Sequence, residues 1–132
     1  MEFEIFTICD HVEDYGGKLV ISGTFDTIYS NKFPAVQPNM AIAGRLRLTG
    51  PVKQHSFLIK IVDKKGKDVN PSIEGTINVD KEGIGGYSSV NLAFNLSNVT
   101  FENAGTYYVI LHIDNKKVRS LSFNLTNLTE KR

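Results

Sequence analysis

Apolar and polar residues alternate with a period of two along most of the chain, the spacing that places one side-chain set on each face of a strand. The clearest run is Val90, Leu92, Phe94 and Leu96, with Asn91, Ala93 and Asn95 on the other face. Tyr107, Val109, Leu111 and Ile113 form a second run, and Leu121, Phe123 and Leu125 a third. Between these two, Asp114-Asn115-Lys116-Lys117 has the composition of a tight hairpin turn. Phe57, Ile59, Ile61 and Ile73, Ile77, Val79 predict strands on either side of Lys64-Lys65-Gly66-Lys67. Ile42, Leu46 and Leu48 alternate with Ala43, Arg45 and Arg47 until Gly50-Pro51 stops the run. Nearer the N-terminus, Phe3 to Asp10 is apolar on both faces, and Leu19 to Phe25 follows Gly16-Gly17, which predicts a hairpin. Ser30 to Asn39, with Pro34 and Pro38, reads as a surface crossing without regular structure.

About eight strands, no amphipathic helix and no internal repeat predict one all-β antiparallel sandwich over residues 1–132. N-terminal strands are expected at 3–29, a core at 40–125 and a polar tail at 126–132. The expected inward side chains are Leu46, Phe57, Ile59, Val90, Leu92, Phe94, Leu111 and Phe123. Composition agrees: Val, Ile and Thr total 32 residues against 5 Ala, so β-branched residues dominate and the best helix former is scarce. With 15 Lys+Arg against 14 Asp+Glu, a net charge of +1 gives no electrostatic drive toward nucleic acid or an acidic membrane surface. One cysteine excludes an intrachain disulfide and an all-cysteine metal cage. Met1-Glu2-Phe3-Glu4-Ile5 lacks the basic start and apolar core of a secretory signal, and a cytoplasmic location is expected.

The segment from Leu96 to Val109 resembles the end of an immunoglobulin-type sandwich, where a strand, a corner and the next strand carry Asp-x-Gly-x-Tyr-x-Cys. Asn103, Gly105, Tyr107 and Val109 occupy those four places. The resemblance implies a tyrosine corner, in which a buried ring anchors the turn and its hydroxyl bonds back to the main chain upstream. Val109 stands where the disulfide cysteine would be and the chain has no Trp, so Phe57 or Ile59 is expected to fill the centre. The implied fold is a disulfide-free Ig-like antiparallel β-sandwich, as suits the cytoplasm. The whole chain is also similar to a family of small stand-alone bacterial and phage proteins of unknown function. That similarity rests on Cys9-Asp10-His11-Val12-Glu13, Gly17-Lys18-Leu19, Gly23-Thr24-Phe25, Phe33-Pro34 and Val62-Asp63-Lys64-Lys65-Gly66, and it implies no activity.

Candidate chemistry is sparse. Cys9 and His11, two apart, share a face on a regular strand, and Asp10, Glu13 and Asp14 add carboxylates, so the alternative function is a small-ligand or metal binder, or an enzyme, using the Cys9-His11-Asp14 segment. The plainer reading is a small buried cysteine followed by a polar turn, with no metal and no cofactor. His55 and His112 fall on separate predicted strands, His112 facing solvent. Glu82-Gly83-Ile84-Gly85-Gly86-Tyr87 lacks the helix and the Gly-Lys-Ser/Thr of a phosphate loop. Gly83, Gly85, Gly86 and Tyr87 are instead expected to form a partner-binding connection whose small residues let another chain approach. Lys64, Lys65, Lys67 and Lys116, Lys117, Arg119 read as solvated hairpin ends. Asn95, Asn98, Asn124 and Asn127 each begin an Asn-x-Ser/Thr triplet and read as unmodified residues of an uncharged face open to a partner. With no convergent acid, base and nucleophile, the expected function is a non-catalytic protein-interaction or self-assembly module, without nucleic acid, membrane or small molecule as partner.

Overall fold

The computed structural model describes residues 1–51, 53–79 and 86–128, and among them nine strands form two sheets. These are β1 (Glu2–Tyr15), β2 (Lys18–Thr24), β3 (Thr27–Ser30), β4 (Ala35–Leu48), β5 (Gln54–Asp63), β6 (Ile73–Asn78), β7 (Ser88–Phe101), β8 (Gly105–Ile113) and β9 (Lys116–Asn127). One sheet runs β2-β1-β4-β7 and the other β3-β9-β8-β5-β6. Neighbours are antiparallel except β3 and β9, which are parallel from Thr27↔Asn124 to Ser30↔Asn127.

Both predicted hairpins form. Gly16 and Gly17 (φ 56° and 94°) join Tyr15 to Lys18, and Asp114 and Asn115 (φ 51° and 65°) join Ile113 to Lys116. Two successive positive φ values give the turn a twist that matches the strands it joins. The expectation of an irregular crossing from Ser30 to Asn39 is corrected: β4 begins at Ala35. Pro38 causes no loss of ladder because it sits at a gap in the register, between Gln37↔Val99 and Asn39↔Ser97, across from Asn98 at φ 54°.

The main core lies between the sheets. Met40, Ile42 and Leu46 of β4 and Leu92, Val99 and Phe101 of β7 meet Ile59 and Ile61 of β5, Val109 and Leu111 of β8, and Phe123 of β9. At one end Phe101 stands edge-on to Tyr107 and Phe123, with ring centroids 4.9 and 5.8 Å away. Of the side chains expected inward, Leu46, Ile59, Leu92, Leu111 and Phe123 are buried. Phe57, Val90 and Phe94 are only partly buried, packing against the core margin. Their position explains this: β7 ends its sheet and β6, beside β5, ends the other, so no further described strand roofs them.

A second, smaller core lies on the outer face of the first sheet. Cys9, Val12, Ala41 and Ala43 are buried there, with Leu19, Ile21 and Ala93 packed against them. Three of the chain's five alanines are in this patch. They make the face low enough for the β1–β2 hairpin to fold over it, which curls the sheet. β1 pairs with β4 only as far as Cys9↔Ala41, and beyond that its sole strand partner is β2. Main-chain groups freed by that departure need partners. Asn95 of β7 supplies them: the Val12 N–H donates to its Oδ1 at 3.0 Å, and its Nδ2 donates to the Val12 carbonyl at 2.8 Å. Asn91 adds a bond from Nδ2 to the Gly17 carbonyl at 3.0 Å, so two asparagines of one strand hold the hairpin down.

Three substitutions test this packing. The Tyr107 hydroxyl donates to the Asn103 carbonyl at 2.5 Å, the tyrosine-corner bond, while Gly105 holds φ 142° and Val109 is fully buried. Tyr107→Phe should cost about 1–2 kcal/mol by leaving that carbonyl unpaired. Val109→Ala should cost roughly 1–3 kcal/mol by emptying the space between the sheets. Denaturant melts check both, and neutral results would remove the corner from the account of stability. Asn95→Asp keeps the acceptor for the Val12 N–H but sets an oxygen against the Val12 carbonyl. We expect a loss of about 1–2 kcal/mol, read by hydrogen exchange as faster exchange in β1 beyond Asp10 and in β2, with β8 unchanged. Equal acceleration in β8 would show that Asn95 supports the whole fold rather than the hairpin.

Candidate functional site

The Cys9–His11–Asp14 segment does not converge. Cys9 is buried beneath the hairpin and its thiol points to the Ala41 carbonyl (3.9 Å) and the His11 carbonyl (3.5 Å). Burial pushes its pKa up, the direction of an unreactive thiol. The expectation that Cys9 and His11 share a face is corrected, because the chain turns away from β4 after Cys9 and leaves the His11 side chain 53% exposed. His11 pairs with Glu13 at 3.0 Å, and this bond, with one from Tyr15, holds the Glu13 carboxyl below its usual range. Asp14 accepts from Gly17 N–H at 2.8 Å and from Asn91 Nδ2 at 3.3 Å, so it shapes the turn. Among the described residues no group of three or more His, Cys, Asp or Glu is placed to hold a metal ion.

Of the expected partner-binding residues, Gly83 and Gly85 lie outside the described residues. Gly86 is exposed at φ 80°. Tyr87 is partly buried beneath the Arg47 guanidinium, 4.4 Å from the ring centroid, and Arg47 also reaches Glu4 at 3.1 Å. Tyr87 immediately precedes Ser88, the first residue of β7, so this connection runs into an edge strand. Asn95, expected on a face open to partners, has its side chain engaged by the hairpin, and Asn124 accepts from the Thr106 hydroxyl at 2.9 Å.

Two features escaped the sequence reading. His55, almost buried, bonds through Nδ1 to Asp114 Oδ2 at 2.7 Å, and Asp114 Oδ1 accepts the Ser56 N–H at 3.0 Å. The turn between β8 and β9 is thereby fastened to the start of β5. The available signal was the parity of His55, which follows the inward set Phe57, Ile59, Ile61. His112, expected to face solvent, is partly buried, in a depression of about 390 Å³ lined also by Leu58, Glu74 and Thr76. It alternates with the buried Leu111 and Ile113, as the outward reading requires, but residues of β5 and β6 line the same depression and shield it.

The second feature is the outer edge of β7, which no other described strand pairs. Of the four sheet edges, β2, β3 and β6 are 7, 4 and 6 residues long. β7 has 14 residues, Ser88 to Phe101, with no charged residue and no proline. Every second residue of an edge strand turns its N–H and C=O away from its one neighbour, leaving a template for another strand.

An all-β protein of two sheets with no disulfide is thus the class this chain defines. The chain belongs to a family of unknown function, DUF6941, which it matches over residues 4–126. None of the curated proteins compared matches it. Among solved structures it is similar to the alkylpurine DNA glycosylase AlkC of Pseudomonas fluorescens bound to DNA containing an abasic site analogue. The identity is 10% and the TM-score 0.52, over 94% of this chain and 30% of that one. The chain thus spans about a third of the length of that protein, and the likeness is one of fold.

The His55 hydrogen bond, followed by that from Ser56, holds the Asp114 carboxyl below its usual range. A depressed folded pKa stabilises above the ordinary carboxylate range, and the contribution is lost as pH falls through the folded value. Asp114→Asn keeps an oxygen acceptor for Ser56 and removes the charge. The stability gap between wild type and variant should therefore be full near neutral pH and close on acidification. Urea midpoints measured at a series of pH values test this, and a gap independent of pH would exclude the linkage.

Proposed function

We propose that this chain is a non-catalytic interaction module that joins a protein partner, or assembles with itself, along the outer edge of β7. One observation carries the reading: the longest edge in the fold lacks the charge, proline and brevity by which native sheets discourage strand addition. Strand addition draws its affinity from main-chain hydrogen bonds, and the preceding Gly86-Tyr87 gives a partner room at one end. The net charge of +1 supports a protein rather than a nucleic acid as partner. The DNA in the glycosylase structure belongs to that protein.

The same proposal includes an Ig-like classification. Its supports are the Tyr107–Asn103 bond, the position of β8 between β5 and β9, and Val109 filling the place of the disulfide. A core closed by packing in this way also suits a cytoplasmic location. The test is capture by the immobilised full chain from a lysate of its source, comparing wild type with Ser89→Lys/Ser97→Lys, two exposed positions of β7. We expect one stoichiometric protein, its retention reduced at least about tenfold by the lysines. Undiminished capture by the variant, or turnover of a small molecule by the purified chain, would overturn the reading.

A further inference from the structure

The edge strand is a palindrome in side-chain character. About Ala93, Leu92 mirrors Phe94, Asn91 mirrors Asn95, Val90 mirrors Leu96 and Ser89 mirrors Ser97. An antiparallel pair related by a two-fold axis sets residue i of one copy against j of the other, and j against i. With its axis at Ala93, such a pair opposes apolar to apolar, Asn to Asn and Ser to Ser. We propose that β7 pairs antiparallel with β7 of a second copy about a two-fold axis at Ala93, joining two four-stranded sheets into one of eight. This inference rests on reading β7 as the interaction edge and names its occupant.

Three further observations favour a second copy over an unrelated strand. A self-complementary interface brings each charge close to its own copy, and β7 holds no charge to be opposed. Val90, Phe94 and Leu96 remain partly exposed at the core margin, and each gains cover from an apolar residue of the other copy in this register. Asn98 takes φ 54°, so the extended backbone breaks one residue beyond the mirrored set and the palindrome lies wholly in the stretch before that break. Nine residues at about one main-chain hydrogen bond each give roughly nine bonds, close to the number in a specific interface of ordinary size. On the outer face Asn91 and Asn95 are held by Gly17 and Val12, so the strand is already tied down before a partner arrives.

Sedimentation equilibrium of the full chain over a concentration series tests the pairing, with circular dichroism melts confirming that each variant folds. Wild type should be a dimer. Ser89→Lys/Ser97→Lys places Lys against Lys twice and should weaken dimerisation at least tenfold, while Ser89→Lys/Ser97→Glu places Lys against Glu and should restore it. Register is read by mild oxidation: Ser89→Cys copies mixed with Ser97→Cys copies should cross-link, and neither variant should do so alone. In one variant the two new thiols lie about 26 Å apart along the strands, and the native Cys9 is fully buried. A wild type that stays monomeric, a dimer indifferent to the lysines, or cross-linking within a single variant would overturn self-pairing. A monomer that still captures another protein through β7 overturns only self-pairing. Capture that ignores the lysines overturns the interaction reading itself.

Discussion

A strand buried on both faces has to be built of two different kinds of side chain, and β4 is that strand. Between Met40 and Leu46 it turns Met40, Ile42 and Leu46 toward the opposite sheet and Ala41 and Ala43 outward, all five fully buried. The large set closes the main core against β5, β8 and β9. The small set, with Ala93 of β7, forms a shallow floor on which the β1–β2 hairpin lies. A larger residue at 41 or 43 would lift the hairpin, part Asn95 from Val12 and leave the Val12 N–H and C=O without partners. The curl of the first sheet and the shelter of Cys9 therefore both depend on alanine at these two positions.

That curl treats the two edges of the sheet differently. At one end the chain folds the edge over the outer face, and β2 is short, carries Lys18 and has Gly23 at φ 69° against Asp10. The positive φ is what favours glycine at this position; the Asp10 carboxylate, 2.6 Å from where a Cβ would stand, is the end of an exposed side chain that can move aside. At the other end β7 is held by its own Asn91 and Asn95 to the hairpin that crosses the sheet.

Strand content, both two-residue hairpins and the tyrosine corner could be read in the sequence because each depends on residues close together in the chain. Asn103, Gly105 and Tyr107 lie within five positions, and Asp114-Asn115 is a turn by composition alone. The early start of β4 was hidden by Pro34 and Pro38, since a proline reports a missing donor but not whether the register already has a gap there. The pairing of His55 with Asp114 joins residues 59 apart, and no local pattern announces it. Cys9 and His11 misled because strand alternation assumes that a strand keeps one set of neighbours, whereas β1 pairs with both β4 and β2 at Cys9 and with β2 but not β4 at His11. The edge character of β7 is a property of topology. Its alternation marked it as a strand but could not distinguish a centre from a margin.

Partial burial of Phe57, Val90 and Phe94 links the core to the surface. In a sheet continued by another strand these side chains would be roofed, and their period-two pattern predicts that they should be. The rings of Phe57 and Phe94 lie 5.6 Å apart where β5 faces β7, at the margin between the two sheets. An apolar pattern that exceeds the cover the described strands provide points to cover from outside them. Uncharged main chain along the same margin calls for the same completion, so the hydrogen-bonding and hydrophobic accounts of this edge agree. A strand laid along β7 answers both at once, and only a strand whose own apolar residues fall in step with Val90, Leu92, Phe94 and Leu96 does so without burying a polar side chain against them.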